Sequence, residues 1–222
     1  MLLRLSYSFR RELIDHNLAV TSSEFQGTVL DLGGKKIKKR GTFCPPENNI
    51  KKWIYFNFDF DEQPDVRGDA HFLPFQNSYF DWLICTEVME YVTDPAKMIS
   101  EMRRVLKPSG KVFLTCPFLY QIHGKPHDLQ RYTDEKLKSL FLNEGFAIEK
   151  LASQGHFFLV VADFIRAAIA AIKNGAFRYL AALCFYPDCL ILKCLDQQNW
   201  VKKSDFLTSF TTGYLVIAKK VS

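Results

Sequence analysis

With 222 residues, the chain sits near the upper limit for a single compact domain, and 48% hydrophobic residues rule out disorder as a description of the whole. Its six cysteines include no C-x-x-C pair and three stand inside hydrophobic runs, which excludes a disulfide framework. The net charge of +5 is entirely N-terminal: residues 1–53 hold ten Lys/Arg against five Asp/Glu, and residues 54–222 hold nineteen of each. A local basic patch at Lys35, Lys36, Lys38, Lys39 and Arg40 is expected rather than a nucleic-acid-coated surface.

The first twenty residues break their apolar positions with Arg4, Arg10, Arg11, Glu12 and Asp15, leaving no apolar core of signal-peptide length; a cytoplasmic location is the expectation. Residues 1–27 read as an N-terminal helical segment. Residues 28–32, 53–58, 79–85 and 111–116 are strand-length, rich in β-branched or aromatic residues, and closed by turn or acidic residues. Between the last two, Asp94-Pro95 reads as an N-cap with proline at the first helical position. Met98, Ile99, Met102, Val105 and Leu106 follow at helical spacing, and residues 107–110 stop that helix. Strand, helix and strand in this order make a βαβ unit, so the fold class is α/β with a parallel sheet. Beyond a polar loop at 118–132, residues 133–135 cap a helix through Leu142, and 146–151 and 214–219 read as further strands. Residues 152–205 read as an apolar helical insertion and 206–222 as a closing strand, all within one domain.

The first strand ends in V-L-D-L-G-G, where glycine lets backbone approach a ligand above the carboxyl ends of the strands. Asp59 closes the second strand; an acid there either holds a ribose or caps a turn. The sequence from Thr28 to about Gly145 resembles the class I S-adenosylmethionine-dependent methyltransferases. The similarity is carried by Gly68-Asp69-Ala70, Leu73-Pro74-Phe75, residues 78–81, Glu87-Val88-Met89-Glu90-Tyr91-Val92, Asp94-Pro95 and residues 101–110 in order. The resemblance implies a Rossmann-like, seven-stranded, mostly parallel sheet in the order 3-2-1-4-5-7-6, its last strand antiparallel, and S-adenosylmethionine as cofactor. It also implies that Asp31, Gly33 and Gly34 hold the methionine part, Asp59 the ribose, Asp69 and Ala70 the adenine with Leu73 or Phe75 against the ring, and that Thr86 and Glu87 flank the methyl group. Lys35 and Ile37 stand where the family places its second and third glycines, Tyr91 where histidine is usual, and Ser109 in place of a glycine.

The loop at 118–132 resembles a subgroup associated with surface-sugar and other small-molecule biosynthesis. His123 and His127 are the candidate general bases, and Asp128, Arg131 and Tyr132 the candidate contacts to a small polar acceptor methylated on oxygen or nitrogen. The competing reading makes Asp128 and Arg131 a structural pair that pins the loop. No metal is expected, because Gly124 and Pro126 prevent a helical H-x-x-x-H face. Two further readings stay open: a catalytically silent binding or scaffold protein, suggested by the lysine-filled first loop, and RNA methylation, suggested by the basic cluster. Nucleic acid is otherwise not an expected partner. Within 156–200, Asp163 and Arg166 interrupt one apolar run and Arg178, Pro187, Asp188 and Lys193 another, so a helical pair rather than a membrane span is expected; a homodimer interface and a peripheral lipid contact are both open. Cys184, Cys189 and Cys194 read as buried thiols.

Overall fold

A computed structural model describes residues 5, 7–37 and 41–221. Seven strands form one sheet: β1 (Gly27–Leu32), β2 (Ile50–Asn57), β3 (Val66–Arg67), β4 (Phe80–Thr86), β5 (Leu106–Pro117), β6 (Phe146–Ser153) and β7 (Gly213–Lys220), in the order β3-β2-β1-β4-β5-β7-β6. The pairings among β1 to β5 are parallel and β7 runs antiparallel to both β5 and β6. Around the sheet lie α1 (Phe9–Thr21), α2 (Pro95–Val105), α3 (Asp134–Asn143), α4 (Phe157–Ala171), α5 (Gly175–Asp196) and the short α6 (Asn199–Lys202) and α7 (Asp205–Thr208).

The period-2 alternation of the strands divides the core in two. Leu30, Leu32, Leu83, Cys85, Val112 and Leu114 pack with α2 and α3 on one face. Val29, Trp82, Ile84, Phe113, Leu215 and Ile217 pack with Ile14 and Leu18 of α1 and with Phe25 on the other. The helix ends follow ordinary capping chemistry. Asp94 accepts from the Lys97 N–H ahead of Pro95, and Thr133 from that of Lys136. Where the sequence suggests a separate stop at 107–110, α2 ends at Val105 and the chain passes directly into β5. Leu106 pairs with Phe80 and Lys111 with Trp82, so residues 107–110 bulge out of register.

The insertion before β7 is fastened by buried carboxylates. Asp163 of α4 accepts from the backbone N–H groups of Phe9 and Arg10, both at 3.0 Å, capping α1, and is itself held by Arg166 at 2.9 Å. Asp196 at the end of α5 does the same for α4, accepting from His156 and Leu159 at 2.9 and 3.0 Å. Of the charges that interrupt the apolar runs, Asp163 is thus a helix cap facing orphan N–H groups and Arg166 holds it in place. Pro187 does not break α5, which runs continuously through it. Cys189 is buried as expected, whereas Cys184 and Cys194 are exposed because α5 touches the body along one stripe only.

Candidate active site

Parallel strands ending side by side leave a crevice above their carboxyl ends, most open where the chain order reverses. Here that point lies between β1 and β4, and a cleft of about 660 Å³ opens above it, within the range of small-molecule sites. Asp31, Gly33, Gly34, Asp59, Asp69, Ala70, Thr86, Glu87 and His127 all line it.

The glycine turn is sterically required. Gly33 has φ +79°, and a Cβ there would stand 2.3 Å from a methyl of Val88; a Cβ on Gly34 would meet the Asp31 carboxyl at 2.4 Å. Asp31 also accepts from the Trp53 indole at 3.2 Å. Asn57, which the motif reading does not single out, donates from one amide nitrogen to the carbonyls of both Gly33 and Gly34 at 3.1 Å, tying the first loop to the end of β2. Lys35 lines the cleft but pairs its ammonium with Glu62, and Lys36 pairs with Asp65 at 2.5 Å, so both cations are drawn to the acidic segment after β2. Ile37 is not among the lining residues, and Lys38, Lys39 and Arg40 lie outside the described residues. Asp59 lines the cleft and also caps the turn at 60–62 through the Asp61 N–H at 3.0 Å. Asp69 accepts from the His71 N–H at 2.9 Å and sits 2.6 Å from its ring; that backbone N–H chiefly holds its carboxyl below the usual range.

Glu87 has φ +56°, a left-handed conformation uncommon for a residue other than glycine and concentrated at functional sites. Its carboxylate receives a two-pronged bond from Arg10 of α1, at 2.9 and 2.5 Å, and a third from the Thr115 hydroxyl at 3.0 Å. Arg10 is 1% exposed and its remaining donors reach Gln154 and Thr212. Burial opposes ionisation of Glu87, but the Arg10 guanidinium outweighs it and holds the carboxyl below its usual range. Behind it Glu90 is 0% exposed, and neither of its carboxyl oxygens has a hydrogen-bond partner among the described residues. Burial, then the charge of Glu87, pushes Glu90 up to about 8.

The loop after β5 departs from the sequence expectations. His127 reaches the cleft, but His123 is turned away from it: its backbone N–H donates to Asp128 at 2.7 Å and its ring packs edge-on against Tyr91 and Tyr120. Asp128 and Arg131 form the structural pair, joined at 2.5 and 2.9 Å, and the Arg131 fork draws Asp128 down to about 2. Neither lines the cleft. Tyr132 is 2% exposed in the core and donates its hydroxyl to the Met89 carbonyl at 3.2 Å, so it is not an acceptor contact. Leu73 is likewise a core residue, its N–H donating to the buried Glu101 carboxylate at 2.8 Å, and does not flank a ring in the cleft.

Residues 12–114 match the methyltransferase domain family. That match covers a little under half of the chain. Among curated proteins it is 28% identical over 110 residues to a ubiquinone/menaquinone biosynthesis C-methyltransferase of Francisella philomiragia, spanning 50% of this chain and 37% of that one. It is 35% identical over 110 residues to an uncharacterized protein of Methanocaldococcus jannaschii, spanning 47% and 51%. The chain therefore matches about half or less of these relatives' lengths. Among solved structures the fold is shared with a putative methyltransferase from Bacillus halodurans (TM-score 0.57, 16% identity, 94% of this chain and 99% of that one). It is also shared with an O-methyltransferase of Brevibacillus brevis in complex with S-adenosyl-L-homocysteine (TM-score 0.57, 12% identity, 93% and 72%). A [4+2]-cyclase shares the fold as well (TM-score 0.59, 17% identity, 93% and 81%).

Proposed function

We propose that this chain transfers a methyl group from S-adenosylmethionine to oxygen or nitrogen of a small polar acceptor. The observation that carries this reading is the cleft itself: three carboxylates, Asp31, Asp59 and Asp69, and the glycine turn stand around about 660 Å³ of open volume. Lys35, which stands where the family places its second glycine, and the neighbouring Lys36 point their ammonium groups to Glu62 and Asp65, so the space above Gly33 stays open.

The cofactor supplies a methyl group on a sulfonium that is already an activated leaving group, so the protein's work is alignment and exclusion of water. Gly33 and Gly34 let backbone approach the ligand without a Cβ. Asp59 and Asp69 accept from ligand hydroxyl and amine donors, bonds that are stronger for being charge-assisted. Glu87, fixed by Arg10, brings a negative charge to the floor of the cleft without freedom to wander. His127, on the loop that borders the cleft, takes the proton that an oxygen or nitrogen acceptor must lose.

Isothermal calorimetry with S-adenosylmethionine and with S-adenosylhomocysteine tests the reading. Binding is expected, weakened roughly tenfold or more by Asp69→Ala and by Asp59→Ala, each removing one charge-assisted contact. Absence of heat at millimolar ligand defeats it and leaves a scaffold protein on a fold that also hosts reactions other than methyl transfer. The acceptor is approached by mass spectrometry of small-molecule extracts incubated with isotope-labelled cofactor; label appearing in RNA would instead favour the basic cluster as an acceptor surface.

A further inference from the structure

Helix α5 is about 33 Å long at the usual rise per residue and is apolar around most of its circumference. It buries only a single stripe, Ala182, Cys189 and Asp196, at seven-residue intervals. Phe177, Leu180, Leu183, Phe185, Leu190 and Ile191 are all exposed, between 41% and 61%. Among the described residues it is the one helix long and apolar enough to cross a membrane by length and composition. Monomeric proteins seldom leave so much contiguous apolar surface in water, and such surface marks a contact.

The charges around this face identify the contact. Lys173 and Arg178 stand exposed at its start and Lys202 and Lys203 just past its end, against Asp188 as the one exposed acid between them. Trp200, also exposed, lies beside the C-terminal cations, where an indole suits a polar–apolar boundary. A second copy of the chain docking through the same face would bring these cations toward one another, whereas an anionic lipid leaflet attracts them. A transmembrane course is opposed by the stripe that fastens α5 to the body. Lys193 donates to Glu12 of α1 at 2.6 Å, and Asp196 caps α4. A helix held along one side, apolar on the other and cationic at its ends matches an element lying in the plane of the interface.

We infer that α5 is a docking surface for an anionic lipid bilayer, along which the protein lies without crossing it. The inference is independent of methyl transfer. It is tested by flotation of the full chain with phosphatidylcholine vesicles and with vesicles that also contain phosphatidylglycerol. The protein is expected to float with the anionic vesicles and to be released by high salt. Phe177→Glu combined with Leu183→Glu should lower partitioning at least about tenfold, since it places two charges in the apolar contact, and Lys173→Gln combined with Arg178→Gln should lower it several-fold. All four positions are exposed, and unchanged circular dichroism and melting of the variants confirm that the fold is kept. Failure to float with either vesicle overturns the inference. So does equal binding to neutral and anionic vesicles, a dimer by sedimentation equilibrium that the glutamates dissociate, or membrane material released only by detergent.

Discussion

The floor of the cleft and the loop that borders it are both rich in polar residues, but they use them in opposite ways. On the floor, the strands have already satisfied one another's backbone groups, so Asp31, Thr86 and Glu87 at their ends border the cleft, with Glu87 held there by Arg10 and Thr115 from other elements. The loop has no sheet to satisfy it, so it consumes its own side chains. Asp128 takes the His123 N–H and the Arg131 fork, and the Gln130 amide is spent on the Val92 carbonyl. At the strand ends a polar side chain borders the cleft and is held by a distant element, whereas Asp128 and Gln130 are taken up by groups in or beside their own loop.

The sharpest way to break this contrast is at the floor. Arg10→Met leaves Glu87 buried without its counter-charge and should cost about 3–5 kcal/mol in urea unfolding, with cofactor binding lost alongside. A loss below about 1 kcal/mol would show that Glu87 is solvated and that the floor is not preorganised.

Glu90 gives the next largest effect, read through pH. Its folded value of about 8 lies above the ordinary 4.5, so the folded state holds a proton that the unfolded chain releases. Stability associated with Glu90 is complete below pH 4.5 and drains away as pH rises through about 8. Glu90→Gln has no such loss and should gain on the parent by roughly 2 kcal/mol between acid and mildly alkaline pH, seen as diverging melting curves. Parallel curves would place water or a cation against its carboxyl.

Gly33→Ala should cost about 1–2 kcal/mol for the left-handed backbone alone and weaken cofactor binding further by shifting Val88. Unaltered affinity would mean that the turn does not approach the ligand.

The smallest effect belongs to the loop. Asp128→Asn should leave cofactor affinity unchanged, because Asp128 faces Arg131 rather than the cleft. The folded Asp128 value of about 2 lies below the ordinary 3.8, so its contribution is present above pH 3.8 and disappears as pH falls toward 2. The variant should lose that acid-side slope, and a changed cofactor affinity would return Asp128 to the cleft. His127→Ala, by contrast, should lower turnover with little change in cofactor affinity.

These contrasts explain how much was legible in the sequence. Strand ends are written locally, in an apolar run and the turn that closes it, so Asp31, Gly33, Gly34, Asp59 and Glu87 could be placed from the chain alone together with the ordered motif blocks. Arg10 could not, because it meets Glu87 only after α1 folds across a sheet whose register depends on distant strands. Leu73 and Tyr132 stand within or beside motif segments yet turn inward, a matter of helix and loop packing that spacing does not encode. Asp163 and Arg166 looked like interruptions of an apolar helix, because the amides of α1 that Asp163 accepts from and the Leu5 carbonyl that Arg166 donates to lie more than 150 residues away.

That last contact has a consequence for the architecture as a whole. Asp163 belongs to the appended helices, but the helix it caps is the one that delivers Arg10 to Glu87. The periphery is therefore a buttress for the floor of the cleft, and a shortened chain lacking residues 157–208 would forfeit the cleft along with the appendage.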